Sequence, residues 1–509
     1  MSADSLRIAL RADASTVMGL GHVKRCLALG VALRALGSDV RLVTRNLGVD
    51  TRILAEAARI PSTVLPAPDA VLVTLDPVPH AAWAGVGWQV DAVQTSAELE
   101  VWRPDWVLVD QYAFDARWHG AVARALGSRI AAIDDLADRD MGVALLVDQN
   151  LSDDHRAKYH GHLSPEAALL GGPHFALLDA AFAGIHGVNV AEEVGSIGVF
   201  MGGVDAGNLS CIALRACREH AGFAGPIEIV VTSGYPHAAA LAALAMQWPE
   251  TRVLVDLPNL AAFFARHGLQ IGAGGGAAWE RCAAGAPTVA VVVAANQEAV
   301  LPALAQRGAV VISRSSDDAT LGKEIRRLIA DPAARGLLAQ RSRMLVDGLG
   351  AVRVALWFWR DSLAVRSATL DDADIMYRWR NDPVTRAVSA GSREIAWSEH
   401  RQWLQSSLVN QQRCLLVARV GGRSVGIVRF DAQPDGNAHV SLYLDPALRG
   451  LGLGTRMLLA GERELLERIP AIRQFIATVL PKNKDSARLF ASCRYRLQQG
   501  TWRKLATPD

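Results

Sequence analysis

From Leu6 to Ile312 the chain alternates short, β-branched apolar runs with amphipathic stretches of helical period. Runs at Leu6–Arg11, Val40–Thr44, Val107–Asp110, Ile130–Ile133 and Leu145–Val147 predict one set of strands. Ile197–Met201, Ile227–Val231, Val253–Asp256, Val289–Val293 and Val310–Ile312 predict a second, with Leu269–Ile271 strand-like between them. The runs are nearly continuous rather than alternating, as expected where helices cover both faces of a sheet. Strand following helix at this spacing specifies parallel, doubly wound sheets.

About 350 residues exceed one such sheet, so the pattern splits near Leu177 into two Rossmann-like lobes, 1–176 and 177–360. A ligand belongs in the cleft between them, at the carboxyl ends of the strands. Near Gly348–Gly350 the alternation stops, and Ala351–Arg360 reads as a closing helix. Past Ser362 a different pattern begins. Strand Ala364–Thr369 and helix Asp371–Arg380 precede a Trp/Arg-rich stretch. Strands Arg413–Val420 and Ser424–Asp431 then flank Gly421–Gly422 as a hairpin, and strand Ala438–Leu444 follows. This is a third domain, 364–509, in keeping with 509 residues at roughly 150 per domain.

Hydrophobic residues at 50% and charged residues at 20% are ordinary globular values and exclude collagen, coiled coil and wholesale disorder. No run reaches the ~18 apolar residues of a membrane helix, and Met1–Leu6 has no apolar signal core. Six scattered cysteines without a C-x-x-C pair argue against a zinc site or a disulfide framework. A cytoplasmic protein without membrane partners is expected. The net charge of +2 divides into +7 for residues 361–509 and −5 for residues 1–360. A basic C-terminal module could attract a small anion, but it lacks the dense Lys/Arg run of a nucleic-acid arm. Oligomeric state is not legible.

Three glycine-bearing turns carry the chemistry. The first strand leads through Asp13 to Gly19-Leu20-Gly21-His22, where a helix begins with Val23, Cys26 and Leu27 on its apolar face. His22 at a helix N-terminus is disfavoured as imidazolium and suits a general base, with Asp13 beside it. Strand Ile197–Met201 ends in Gly202-Gly203 and reaches Asn208; Gly272-Ala273-Gly274-Gly275-Gly276 precedes Glu280. Both turns offer bare N–H groups to a diphosphate, and Glu280 could accept from ribose hydroxyls. Asn296-Gln297-Glu298, at another strand exit, could reach the same cleft. The absence of G-x-x-x-x-G-K-[ST] argues against kinase-type phosphoryl transfer.

In the third domain Arg449-Gly450-Leu451-Gly452-Leu453-Gly454-Thr455 opens a helix after strand Ala438–Leu444. Strand Phe475–Val479 then leads to Asn483, Ser486, Leu489 and Phe490. Arg-x-x-Gly-x-Gly leaves N–H groups free for a pyrophosphate. The two segments resemble the acyl-CoA-binding elements of the GNAT acetyltransferase superfamily. The resemblance implies acetyl-CoA as cosubstrate, attack of an amine on the thioester, an oxyanion held by the Leu444 N–H, and Asn483 and its helix along the CoA arm. The Tyr that protonates the thiolate in many members is Phe490 here, with Tyr495 nearby.

Residues Arg11–Leu27, Gly202–Asn208 and Gly272–Cys282, with Val109–Tyr112, Ile133–Leu136, Asp148–Asn150 and Leu169–Leu178, resemble the UDP-sugar hydrolases of pseudaminic acid biosynthesis, which have a glycosyltransferase-B-like fold. The resemblance implies hydrolysis of UDP-2,4-diacetamido-2,4,6-trideoxy-β-L-altropyranose at C1. His22 would be the base, Tyr112 and Asn296 would lie near the sugar, and Glu280 would bind the nucleoside. Gly21, Gly202, Gly203, Asn208, Gly274, Gly275 and Gly276 would line the UDP site, and no metal is expected. The paired Asp134 and Asp135 suit a structural or substrate-orienting role better than metal binding. The C-terminal module resembles the N-acetyltransferase of the same pathway in Trp379–Pro383 and His400–Trp403. Trp379, Arg380, Trp403 and Ser441 would then face the acceptor; the two tryptophans could equally form the aromatic core of a helical hairpin. The expectation is an α/β, bifunctional enzyme acting on a UDP-sugar. The alternatives are a glycosyltransferase fused to an acetyltransferase, and a catalytically inert nucleotide-sugar sensor.

Overall fold

A computed structural model describes residues 5–69, 76–185, 190–293, 297–298, 300–389 and 391–506. The first sheet holds seven parallel strands: β1 (Arg7–Ala12), β2 (Asp39–Arg45), β3 (Ser62–Leu65), β4 (Trp106–Asp110), β5 (Arg129–Ile133), β6 (Leu145–Asp148) and β7 (Ala168–Gly171). They lie in the order β3-β2-β1-β4-β5-β6-β7, so the winding reverses between β1 and β4. The second sheet holds β8 (Ile197–Phe200), β9 (Ile227–Val231), β10 (Thr251–Val255), β11 (Leu269–Ala273), β12 (Thr288–Val291) and β13 (Val311–Ile312). Its order, β10-β9-β8-β11-β12-β13, reverses between β8 and β11. In open sheets of this kind ligands bind at such reversals, outside the carboxyl ends of the strands.

The continuous apolar runs have the expected cause. In the second sheet Ile229 and Val289 enter one core with Val199 and Ile271. Their chain neighbours Val230 and Ala290 enter another, with Phe264 and Trp279. Both faces are covered. In the two lobes, two strands escaped the sequence pattern. Ser62–Leu65 and Ala168–Gly171 are short outer strands, each paired along one edge only, and their half-exposed residues give no sustained period. Asp256 was expected to end a strand but stands just past β10 at positive φ.

Compactness divides the chain into Met1–Val354 and Ala355–Asp509. Within the first unit the glycines at 348 and 350 have a packing origin. A Cβ at either would lie 2.2–2.3 Å from the carbonyl oxygens of Ala176 or Phe182, so the returning chain rests directly on the backbone that follows β7.

The second unit is built on a mixed sheet of β14 (Ala364–Ser367), β15 (Arg413–Val420), β16 (Arg423–Ala432), β17 (Asn437–Leu444), β18 (Gln474–Ala477), β19 (Arg496–Gln498) and β20 (Thr501–Leu505). The order is β14-β15-β16-β17-β18-β20-β19, with β17 and β18 parallel. Their pairing stops at His439 with Ile476, so Val440–Leu444 runs on without a β18 partner. One sheet face, with Leu415, Val417 and Ile427, packs on Met376, Trp379 and Leu404. On the other, a Cβ at Gly461 of helix Leu453–Arg468 would come within 2.9–3.0 Å of Val428 and Phe430. That glycine lets the helix lie close to the sheet. The architecture is α/β: two Rossmann-like lobes, then an α+β module. All six cysteines are buried and reduced.

Candidate functional site

The first reversal brings together β1, β4 and helix Gly21–Ala35, which starts at the glycine turn. His22 is the second residue of that helix and is 8% exposed. Its Nδ1 lies 2.7 Å from Asp110 Oδ1, at the end of β4. Arg25, one turn on, donates to both oxygens of the same carboxylate at 2.5 and 2.6 Å. Burial opposes the charge of Asp110, but Arg25 and His22 outweigh it and hold the carboxyl at about 2. Asp110 is therefore ionised, so His22 Nδ1 carries the hydrogen and donates. Nε2 has no hydrogen-bond partner among the described residues.

Tyr112 stands edge-on to the imidazole, ring centres 4.8 Å apart, and donates its hydroxyl to Asp135. Asn150 donates to the other oxygen of Asp135 at 2.9 Å. Burial first, then Asp135, pushes the Tyr112 hydroxyl well above its ordinary value, so it stays protonated. Two residues here were invisible in the sequence. Trp83 lies edge-on to His22 at 6.5 Å, and His80 lies 4.6 Å from Trp83 and 5.8 Å from Tyr112. They belong to a short 3-10 segment without hydrophobic period.

Asp13 departs from expectation. It is 1% exposed and accepts from Arg11, from the Arg45 N–H at 2.6 Å and from Gln111 Nε2 at 2.9 Å. The carboxylate that orients His22 is Asp110. Asp134, likewise, accepts the N–H groups of Leu136 and Ala137 and pairs with Arg139; it shapes its loop, while Asp135 serves Tyr112. Among the described residues no group of three His, Cys, Asp or Glu is placed to hold a metal.

At the second reversal the glycine turns divide by purpose. Gly202 has φ +101° and, with Gly203, stands largely clear of neighbours. Asp205 accepts the N–H groups of Leu209 and Ser210 at 2.8 and 2.9 Å, so the chain's own carboxylate fills the helix start expected to take phosphate. Asn208 is at left-handed φ and accepts from Tyr235 at 2.6 Å. In the second turn a Cβ at Gly272 would meet Arg281 Nη1 at 2.5 Å, and one at Gly274 would meet Gln297 at 2.9 Å. Those two glycines make room for side chains. The Gly274 N–H is already taken by Gln297 Oε1 at 3.1 Å. Gly275 (φ +75°) and Gly276, which opens helix Gly276–Ala284, face open space, as does Gly21.

Glu280 is half-buried. Burial raises its carboxyl, against the opposing charges of Lys24 and Arg281. Lys24 lies two residues after His22, so the His22 end of its helix shares an electrostatic neighbourhood with the second reversal. Asn296 lies outside the described residues.

In the C-terminal unit the loop before helix Leu453–Arg468 is pinned by Leu451 and Leu453, both buried. Gly450 (φ +82°) and Gly452 (φ +72°) carry no Cβ into the space above. At Gly454 a Cβ would strike Leu489 at 2.4 Å, so this glycine serves helix packing. Arg449 donates to Thr385 Oγ1 at 2.7 Å, and the Thr455 hydroxyl lies 3.3 Å from that of Ser492. Asn483 caps helix Lys484–Ser492 by accepting from the Ser486 N–H at 3.1 Å. Phe490 is buried against Tyr495. The Tyr495 hydroxyl donates to Glu462 at 2.6 Å, and both residues are buried, so it is engaged in the core.

On the opposite sheet face Trp379 packs into the apolar core, with Trp403 against it. Of the two roles open to Trp379, the core role is the observed one. Ser441 is exposed and stands across from Arg429 in the β16–β17 ladder. Arg380 donates to Gly391 O at 2.9 Å, but among the described residues its Nη1 is enclosed without a hydrogen-bond partner, as is Arg386 Nε. The charges of Arg386 and Arg429 act on Arg380, and Arg380 and Arg429 act on Tyr443. The nearest acids are Glu394, 3.9 Å from Arg386, and Asp431, 3.0 Å from Arg429.

Residues 374–495 match the acetyltransferase (GNAT) family, so the C-terminal unit carries a GNAT domain. Similar solved structures include MurG of Acinetobacter baumannii, at 18% identity and TM-score 0.49, covering 69% of this chain and 98% of that one. Aminoglycoside acetyltransferase AAC(6')-Ib in complex with coenzyme A and kanamycin is 18% identical, with TM-score 0.26, over 28% of this chain and 95% of that one. Spermidine N-acetyltransferase from Vibrio cholerae, in complex with CoA and spermine, is 12% identical, with TM-score 0.26, over 28% and 96%. No curated protein gave a match. The chain thus joins a GNAT acetyltransferase domain to a body of two Rossmann-like lobes. Among the described residues no helix is long and apolar enough to cross a membrane.

Proposed function

We propose that the chain is bifunctional: it N-acetylates the amine of a UDP-4-amino-4,6-dideoxy-sugar and hydrolyses the product, UDP-2,4-diacetamido-2,4,6-trideoxy-β-L-altropyranose, to free sugar and UDP. One observation carries the hydrolase reading. The ionised Asp110 holds His22 in the tautomer whose unbonded Nε2 can take a proton. In the reaction a water oxygen bonds to the anomeric carbon while His22 Nε2 takes the water's proton. The C1–O bond to the β-phosphate breaks, and UDP departs with the bonding pair. The open N–H groups of Gly275 and Gly276 suit the diphosphate, and Glu280 suits the ribose. Tyr112 stays protonated with its one O–H hydrogen on Asp135, so it can offer the sugar its oxygen as an acceptor.

The acetyltransferase reading is supported by the domain's family, by the glycines at 450 and 452 that leave loop N–H groups open, and by the unpaired end of β17. Acetyl-CoA would supply the acyl group, with its pyrophosphate on that loop and its arm along helix Lys484–Ser492. The lone pair of the acceptor amine attacks the thioester carbon, the C–S bond breaks, and the amine loses a proton. Phe490 cannot return a proton to the thiolate and Tyr495 is engaged, so solvent or the acceptor's own ammonium must supply it. The enclosed, unsatisfied nitrogens of Arg380 and Arg386 favour an acceptor bearing negative charge, as a nucleotide-linked sugar does.

The test is mass spectrometry of UDP-4-amino-sugar with acetyl-CoA. The expected sequence is gain of one acetyl group, then release of UDP without any added acceptor. UDP release that waits for a carbohydrate acceptor would make the body a glycosyltransferase. UDP-sugar binding without turnover would make it a sensor.

A further inference from the structure

Arg281 is 1% exposed, on the helix that leaves the glycine turn Gly272–Gly276. Its guanidinium folds back beneath the start of that turn. Nη2 donates to Ala273 O, and Nη1 occupies the space a Cβ at Gly272 would need, where Phe200 O also lies 2.6 Å from that Cβ position. Phe200 ends β8 and Ala273 ends β11, so the charge sits at the reversal of the second sheet. Nε and Nη1 have no hydrogen-bond partner, and no carboxylate pairs with the group among the described residues. Glu280 and the Cys282 thiol act on its charge without bonding to it, and the Phe264 ring lies 5.8 Å behind. Burial lowers its pKa to about 10, which still leaves it charged at neutral pH. A charge buried without a counter-ion is a standing penalty that a native fold rarely carries unless something offsets it.

We propose that Arg281 is a positioning residue for an anionic ligand: the buried counter-charge for the diphosphate of a nucleotide held on the glycine turns above it. It does not touch the anion. Its donation to Ala273 O fixes the peptide that leads into Gly274, so that Gly275 and Gly276 present their N–H groups outward. Its charge acts through a few ångströms of protein, where the dielectric is low and the field strong. Gly272 is glycine because any side chain would displace the guanidinium. This rests on the reading that the second lobe binds UDP, and it assigns to that site a residue that contacts no ligand.

The test compares wild type with R281M, which keeps the length and loses the charge, and with R281K, which keeps the charge. Calorimetric titration with UDP, inorganic pyrophosphate and uridine supplies the readout, with thermal unfolding of each unliganded variant alongside. The expected result is at least a tenfold weaker affinity of R281M for UDP and pyrophosphate, unchanged affinity for uridine, and partial recovery in R281K. Unliganded R281M should unfold at or above the wild-type temperature, because an uncompensated charge has been removed. Equal UDP and pyrophosphate affinities in R281M and wild type would overturn the proposal. So would a parallel loss of uridine binding, which marks a merely structural residue. Should wild type bind pyrophosphate through Arg281 but not UDP, the nucleotide reading falls and the anion site stands. If R281M does not fold, R281K decides: a variant that keeps the charge and loses anion binding entirely would sink the counter-charge role.

Discussion

At the reversal of the first sheet, Arg25 and His22 converge on the single carboxylate of Asp110. A few residues away Arg11 and Arg45 share Asp91, which also accepts from Trp118 at 3.0 Å. At the reversal of the second sheet, Arg281 meets a backbone carbonyl and an aromatic face but, among the described residues, no carboxylate. The topology is the same at both places and the charge bookkeeping is opposite. Paired buried charges lock side chains into one geometry, as a proton-transfer site needs. An unpaired one leaves a field that a ligand can complete.

The contrast can be broken in four places. The largest effect belongs to His22→Ala, which removes the group proposed to take the water's proton. Hydrolysis should fall about 10²- to 10⁴-fold while UDP binding persists, read by single-turnover UDP release beside titration. Residual turnover within threefold of wild type would dissociate the imidazole from the chemistry. Next, Asp91→Asn leaves the buried Arg45 without a carboxylate and Arg11 with Asp13 alone. A loss of roughly 3–5 kcal/mol in denaturant unfolding is expected; an undiminished stability would mean that such charges are cheap in this body, and would weaken the case made for Arg281.

The third is a pH effect. Asp110 is held at about 2, below the ~3.9 of an unfolded chain. Its contribution is therefore fully present above pH ~4 and disappears as pH falls toward 2, with a size on the order of 2 kcal/mol. The stability gap between wild type and Asp110→Asn should narrow over that interval; a gap that stays constant from pH 5 to pH 2 contradicts the assignment. The smallest concerns the C-terminal unit. Tyr495→Phe leaves Glu462 paired with Lys504 and should cost about 1–2 kcal/mol, without altering the pH profile of acetyl transfer. A lost limb in that profile would restore Tyr495 as the acid.

Much of the fold was readable because strands covered on both faces advertise themselves as unbroken apolar runs. The outer strands β3 and β7 lacked that signal. For the site, the spacing of His22 from the first strand was enough to place it at a strand exit. Asp13, the acid expected beside it, is not its partner, because nearness along the chain is a poor guide in a parallel sheet. The crossover puts β4 beside β1, so Asp110, 88 residues away, reaches the imidazole first. Trp83 and His80 gave no sign because they sit in an aperiodic segment. The glycines carry a second message: at Gly272, Gly274 and Gly454 the missing Cβ accommodates Arg281, Gln297 and Leu489. A sequence records that a side chain is absent, and only the packed structure says what fills the vacancy.

The six enclosed thiols have a practical consequence. Burial raises Cys217 and Cys282 to about 12 and moves Cys26, Cys211, Cys414 and Cys493 upward as well, so alkylating reagents find almost no thiolate while the chain is closed. Cys26 sits in the first lobe, Cys211, Cys217 and Cys282 in the second, and Cys414 and Cys493 in the acetyltransferase domain. Labelling followed by peptide mapping would therefore time the breathing of each part separately, and nucleotide or acetyl-CoA added beforehand would slow only the clock of the part that holds it.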